Sequence, residues 1–291
     1  MHHLIREFHR TPWAILPETL ASMQTVLARW SSGVRLNDAE ISAAIGDSSR
    51  QQPRAPGNVA VIPVFGIISQ RASMVSDLST GAGTSTESIG KQLRAAVDDS
   101  SISAIVLNVD SPGGSVHGVA EVADQIYAAR AAKPVIASVN SLAASAAYWI
   151  ASAAQEVVIT PSGEAGSIGV YAAHQDQSAA LESDGVKVTL ISAGRYKVEG
   201  NPFEPLGDEA RAAIQSSVDA HYSAFVGGVA RYRGVRPDAV RNGYGEGRVL
   251  GAQQAVDAGL ADRIGTFDDV IAGLRRTGTA NARRRLALAA Y

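Results

Sequence analysis

Ser145 is the hydroxyl best placed to act as a nucleophile. It stands in Asn140-Ser-Leu-Ala-Ala-Ser-Ala-Ala-Tyr, between an apolar run and a small-residue helical stretch. Its alanine neighbours leave room for a substrate backbone. A serine at a strand-to-helix junction is more often a helix N-cap, so the position is ambiguous taken alone. Earlier, Asp110-Ser-Pro-Gly-Gly-Ser follows another apolar run. Pro112 cannot continue a central strand, Gly113 and Gly114 admit backbone angles closed to other residues, and Ser115 can cap a helix. Such a turn leaves N–H groups in the crevice at the carboxyl ends of the strands, where open α/β sheets place ligands. A backbone N–H there can meet a developing oxyanion. An ordinary tight turn would use the same glycines, and the spacing fits neither a phosphate loop nor a dinucleotide fingerprint. The two sites lie at successive strand ends, and each strengthens the other.

A hydroxyl nucleophile needs a base. Of the six histidines, His2, His3 and His9 lie near the N-terminus, His117 begins the helix after the glycine turn, His174 follows a strand-like segment, and His221 lies on a long helix. None has an evident aspartate to orient it, and His117, the best of them, reads as a surface or capping residue. Lys197 is the other candidate. It lies in Ser192-Ala-Gly-Arg-Tyr-Lys-Val-Glu-Gly-Asn-Pro, after a strand-like run. A lysine base must be neutral near pH 7, a differential of about 4 kcal/mol that burial in an apolar site can supply. Without such a site it is a solvated loop lysine.

The elements that must position these groups follow from periodicity. Apolar runs predict strands at 59–65, 102–109, 134–139, 156–160 and 186–191. Helical spacing fills the gaps, at 88–97, 116–131, from about 145, and at 176–184. This βαβ rhythm implies an α/β fold with a parallel sheet flanked by helices, and strands apolar on both sides agree. Beyond Leu206 helices are expected at 208–232, 236–241, 252–258 and 267–275. Residues 1–45 read as a helical head with helices at 17–30 and 38–45, residues 46–57 as a linker, 58–275 as the main domain, and 276–291, with Arg283-Arg-Arg, as a flexible tail.

Composition excludes several classes. A formal net charge of -2, from 26 basic and 28 acidic side chains, leaves no electrostatic footprint for nucleic acid or an anionic membrane. Cysteine is absent, so there is no disulfide, thiolate nucleophile or cysteine metal site. No apolar run approaches the roughly 18 residues of a membrane-spanning helix, so a soluble protein is expected.

In order along the chain, Asp110-Ser-Pro-Gly-Gly, Ser145 in Ala-Ala-Ser-Ala-Ala-Tyr-Trp-Ile, Gly166-Ser-Ile-Gly-Val and Lys197 in Gly-Arg-Tyr-Lys resemble the signal peptide peptidase A family of serine peptidases. The spacings of 22 and 52 residues from Ser145 to Ser167 and Lys197 agree with its single-domain members. Lys-Val-Glu-Gly-Asn-Pro-Phe and the head segment Pro12-Trp-Ala-Ile-Leu-Pro resemble its phage capsid assembly (prohead) protease branch. The resemblance covers residues 58–262.

It implies a crotonase/Clp-protease-like sheet spiral and a serine endopeptidase with a Ser/Lys dyad. Ser145 would be the nucleophile and Lys197 the base. The N–H groups of Gly114 and Ala146 would form the oxyanion hole. Gly113 would support the turn, and the Ser167 hydroxyl would bond the lysine. It implies no metal and no cofactor, a ring-like homo-oligomer in which the lysine can come from a neighbouring protomer, and protein substrates such as scaffold, portal or coat protein. The setting would be the host cytoplasm or an immature capsid. The family pattern has two glycines after the nucleophile where this chain has Ala146 and Ala147. Rival readings are a membrane-independent bacterial peptidase of the same family, a crotonase-type acyl-CoA enzyme, and a catalytically silent scaffold.

Overall fold

The computed structural model describes residues 11–31, 40, 58–71 and 83–276. The expected linker, the tail beyond residue 276 and all but Glu40 of the helix expected at 38–45 lie outside the described residues.

The main sheet grows from strands that are buried on both faces. β5 (Ala104–Ser111) is buried at seven of its eight positions, as expected of a central parallel strand covered by helices. It pairs parallel with β2 (Val59–Phe65) on one side and with β7 (Val135–Ala144) on the other. β7 is ten residues long and serves two neighbours. Its first half pairs with β8 (Glu156–Ile159), its second half with β9 (Glu164–Gly166). β10 (Val249–Gly251) adds antiparallel to β9, and β11 (Arg263–Ile264) adds parallel to β8. A second, four-stranded sheet runs in the order β1 (Trp13–Ile15), β6 (Gly113–Ser115), β3 (Ile67–Ser69), β4 (Gly83–Ser85).

Helices cover the main sheet. α1 (Pro17–Ser31) belongs to the head. α2 (Thr86–Asp98) starts at Ser85, whose hydroxyl accepts the Ser88 N–H at 3.1 Å and so satisfies one of the orphan donors of the first turn. α3 (Val119–Ala129) and α4 (Ala146–Ser152) pack together on the core, and every residue of α4 is buried. α5 (Ser178–Ser183) has no buried residue, and the long α6 (Asp208–Arg233) is buried at Ala210 and then mainly toward its C-terminal end. There Phe225 stacks on Trp149 of α4, with ring centroids 4.6 Å apart. This contact, and a hydrogen bond from buried Tyr148 Oη to the Leu260 carbonyl at 3.0 Å, hold α4 against the rest of the core. α7 (Pro237–Gly243), α8 (Ala252–Asp257) and α9 (267–276) complete the chain.

The expected architecture, a mostly parallel sheet between helices, is the one found. One strand is not. Residues 186–191 alternate as a strand should, yet the run pairs with no neighbour and its apolar side chains face solvent, with Val186 49% and Ile191 97% exposed. Alternation and β-branching fit a pleated surface, but a strand exists only where another supplies its ladder of hydrogen bonds.

Candidate active site

Adjacent strand ends build the site. Across β5, β7 and β9 the register aligns Ser111 with Ala143 and Ala143 with Ala165. The residues just past these ends therefore meet at one edge: the glycine turn after β5, Ser145 after β7, and Ser167 to Gly169 after β9.

Ser145 sits between β7 and α4 with φ 56° and ψ -117°. A positive φ on a side chain of this kind costs about 1–3 kcal/mol and persists only where its surroundings enforce it. They do so here. The Ser145 N–H donates to the Gly166 carbonyl at 2.8 Å, and its carbonyl accepts the Trp149 N–H at 3.0 Å. As an N-cap the hydroxyl would accept a bond from the first turn of α4, and it accepts none. Oγ donates instead to the Gly169 carbonyl, at a long 3.4 Å. The serine is 1% exposed.

The glycine turn is held from both sides. Ser111 Oγ donates to the Gly66 carbonyl at 2.6 Å and accepts the Gly113 N–H at 3.1 Å. Gly113 has φ 102°, and a Cβ there would press on the carbonyls of Ala14 and Ala144. A Cβ on Gly114 would overlap the Ile68 carbonyl, so this turn requires glycine for close approach as well as for its backbone angles. Asp110 accepts a hydrogen bond from the Ser141 hydroxyl, tying the turn to β7. Ala146 and Ala147 are fully buried, with their methyls among the residues of the main core.

Gly113, Gly114, Ser145, Ala146 and Ser167 are thus brought to one edge. Ser167 has φ 53°, is 7% exposed, and donates its N–H to the Arg248 carbonyl at 2.7 Å. Lys197 is not brought into that cluster. It lies in a turn at 194–200, its side chain is exposed, and its N–H donates to the Gly194 carbonyl at 3.1 Å. The burial expected for it is absent in the single chain. The histidines stand elsewhere. His117 and His221 face each other with ring centroids 6.2 Å apart, and burial first, then the neighbouring His117, holds His221 below its ordinary pKa. His174 Nε2 lies 3.0 Å from the Asn201 carbonyl.

Sequence reading missed Ser111 and Gly169. A serine two residues before a turn glycine is a known side-chain-to-backbone motif and could have revealed the first. The second depends on tertiary approach alone. Behind Tyr171 a cavity of about 580 Å³ opens between Val170, His174, Leu206, Arg211 and Ile214. The Tyr171 hydroxyl is buried, and burial pushes its pKa to about 12. Among the described residues no group of three or more His, Asp or Glu could hold a metal, and no helix is long and apolar enough to cross a membrane.

A strained serine beside a glycine turn and a helix start that can supply backbone donors is an arrangement able to perform acyl transfer. The model of peptidase family S49 matches residues 122–281, and that of Clp protease matches residues 67–164. With more than half of its length inside the first, the chain belongs to peptidase family S49. It is 38% identical over 217 residues to the capsid assembly protease C of Escherichia phage lambda, covering 75% of this chain and 48% of that protein. To the head-tail preconnector protein GP5 of Enterobacteria phage P21 it is 36% identical over 230 residues, covering 79% and 45%. The chain therefore spans about half the length of these relatives. A solved ClpP1 variant from Listeria monocytogenes is matched over 74% of this chain and 94% of that one, at 16% identity and a TM-score of 0.43.

Proposed function

We propose that this chain is a serine endopeptidase that processes capsid-associated proteins such as scaffold, portal or coat protein during phage head maturation, with Ser145 as nucleophile and Lys197 as base. The observation that carries the reading is Ser145 itself, a serine held at positive φ on a strand-to-helix corner with its hydroxyl left out of helix capping. The relatives' names, capsid assembly protease and preconnector protein, support the substrate class.

In this mechanism Lys197 Nζ takes the Ser145 Oγ proton as Oγ bonds to the peptide carbonyl carbon. The carbonyl oxygen becomes an oxyanion that the Gly114 and Ala146 N–H groups stabilise. The intermediate collapses, the C–N bond breaks, and the lysine returns its proton to the leaving amine. A water then gives a proton to the same lysine as its oxygen attacks the acyl-serine carbonyl. The ester C–O bond breaks, the lysine returns that proton to Ser145 Oγ, and the acid product leaves and ionises to a carboxylate. Ser167 would hold the lysine amine in line. We place Lys197 in trans, on a neighbouring protomer of a homo-oligomeric ring. Its exposure in the single chain, beside an unpaired apolar run, supports that assignment.

The test is processing of a candidate scaffold protein by purified wild type, Ser145→Ala and Lys197→Ala, read as fragments by intact mass. Cleavage lost in both variants supports the dyad. Cleavage that survives in Ser145→Ala overturns it, and no cleavage by wild type favours a silent scaffold of the same fold.

A further inference from the structure

β1 lies beside the Ser145 corner as an extended strand whose successive residues bond to neighbours on opposite sides. On one side Trp13 exchanges both backbone hydrogen bonds with Tyr171, at 2.8 and 3.0 Å. Tyr171 stands two residues beyond Gly169, the acceptor of the Ser145 hydroxyl. On the other side β1 runs antiparallel to β6, with Ala14 opposite Gly114. The Leu16 N–H donates to the Pro112 carbonyl at 3.0 Å, and the Val116 N–H donates to the Pro12 carbonyl at 3.3 Å. Bonded pairs in an antiparallel ladder occur at every second residue. With Pro12 and Val116 bonded, and Leu16 and Pro112 bonded, the pair between them is bonded as well. The Gly114 N–H therefore points at the Ala14 carbonyl.

We propose that residues 12–16 are a built-in pseudosubstrate: they occupy the peptide groove by β-strand addition and place the Ala14 carbonyl on the oxyanion donor Gly114, closing the site until displaced. This rests on the reading of Ser145 as nucleophile and Gly114 as donor. An extended peptide added between two strands takes its affinity from main-chain bonds of this kind. The strap is held by more than its backbone. Trp13, Ala14 and Ile15 are 7%, 0% and 1% exposed. Trp13 and Ile15 pack with Leu20, Met23 and Leu27 of α1 and with Ile67. The matches to the S49 and Clp peptidase families begin at residues 122 and 67, so the strap lies outside both.

A strap closed most of the time lowers the site's apparent reactivity by the fraction of molecules that are open. The experiment measures the rate at which a fluorophosphonate labels Ser145, by intact mass, with Ser145→Ala as the blank. Trp13→Ala/Ile15→Ala, which removes the two apolar anchors, is expected to label about tenfold faster than wild type. Adding a synthetic peptide of residues 11–17 should slow it again, and a scrambled peptide should not. If the double variant fails to fold, judged by circular dichroism, a protease site inserted at 46–50 lets wild-type chain fold first and be cut afterwards. Release of the head should then give the same acceleration. Equal rates before and after loosening overturn the strap and leave the peptidase reading standing. A folded protein whose Ser145 is labelled in no form overturns the peptidase reading, and the strap's role falls with it.

Discussion

The two halves of the proposed dyad sit in opposite kinds of structure. The Ser145 corner is determined several times over. Its backbone is bonded to Gly166 and Trp149, the neighbouring turn is pinned through Ser111, and α4 beyond it is buried along its whole length. The limb from residue 176 to 206, which carries Lys197, is mostly exposed. Ties at its ends hold it, such as the Gln177 N–H to the Pro202 carbonyl at 2.8 Å, together with the exposed Arg195–Glu209 pair at 2.9 Å. Strain is stored where packing resists relaxation, so the corner holds a serine at positive φ, whereas in the limb positive φ falls on Gly185, Gly194 and Gly200, which adopt it without strain. The limb shows an unpaired extended run and exposed Val186, Leu190, Ile191 and Tyr196, apolar exposure that elsewhere marks an association surface. In the proposed dyad, one chain completes the surroundings of Ser145, and those of Lys197 would be completed by assembly.

The sharpest way to break this contrast is to separate the halves. Ser145→Ala and Lys197→Ala should each lower processing by about 10³-fold or more. If the limb serves a neighbour's corner, mixing the two inactive variants under conditions of subunit exchange restores part of the cleavage. No recovery on mixing would put the lysine in its own chain's site.

Gly114→Ala probes the corner's rigidity. The added Cβ meets the Ile68 carbonyl, so the N–H proposed to meet the oxyanion must shift. Activity is expected to fall about 10²-fold together with the melting temperature. A variant with full activity would show that this N–H is not a donor to the oxyanion.

A smaller effect is expected at the clamp beneath the corner. Arg233 donates two hydrogen bonds to Asp262, at 3.0 and 2.8 Å, and Asp262 also accepts the Val157 N–H of β8 at 2.7 Å. Burial raises the Asp262 pKa, but the Arg233 and Val157 bonds outweigh it and hold the carboxyl below its ordinary value. A depressed carboxyl contributes stability above its unfolded pKa, ~3.9, and loses it as pH falls through the lower folded value. Asp262→Asn should therefore cost about 1–2 kcal/mol at pH 7, discounted for partial exposure. The gap from wild type should close below pH ~4. A gap that is constant with pH, in thermal melts from pH 3 to 7, would sink the assignment.

The smallest change for the isolated chain is at Ile191. Ile191→Asp removes a side chain with almost no intramolecular burial, so the melting temperature should hold. If the limb is an assembly surface, sedimentation should shift toward the monomer and processing should fall with it.

Much of the corner was legible in the sequence. Runs such as Ile105 to Val109 are apolar on both faces and long enough to announce a central strand. The glycine turn and Ser145 each follow such a run. The short strands β3, β4, β6, β9, β10 and β11 were not legible. They are two or three residues long, several contain glycine, and they form because neighbours happen to lie alongside, which no local pattern encodes. The run at 186–191 failed in the opposite sense. Its pattern was right, and the partner was missing. The pairing of residues 13–15 with the glycine turn was invisible for the same reason, since it joins positions about a hundred residues apart.

The sequence by itself determined which chemistry was available: one serine in a small-residue setting, a glycine turn, a lysine in a loop, no cysteine, and an order of motifs that a family shares. These are properties of residue types and local spacing. The tertiary structure decided which of those groups meet. The register of β5, β7 and β9 put Gly113, Ser145 and Gly166 at one edge, and the backbone of the corner forced the serine out of its capping role. The same packing left Lys197 in solvent and laid residues 12–16 across the groove, because strand pairing is a contest among distant segments that local sequence does not settle.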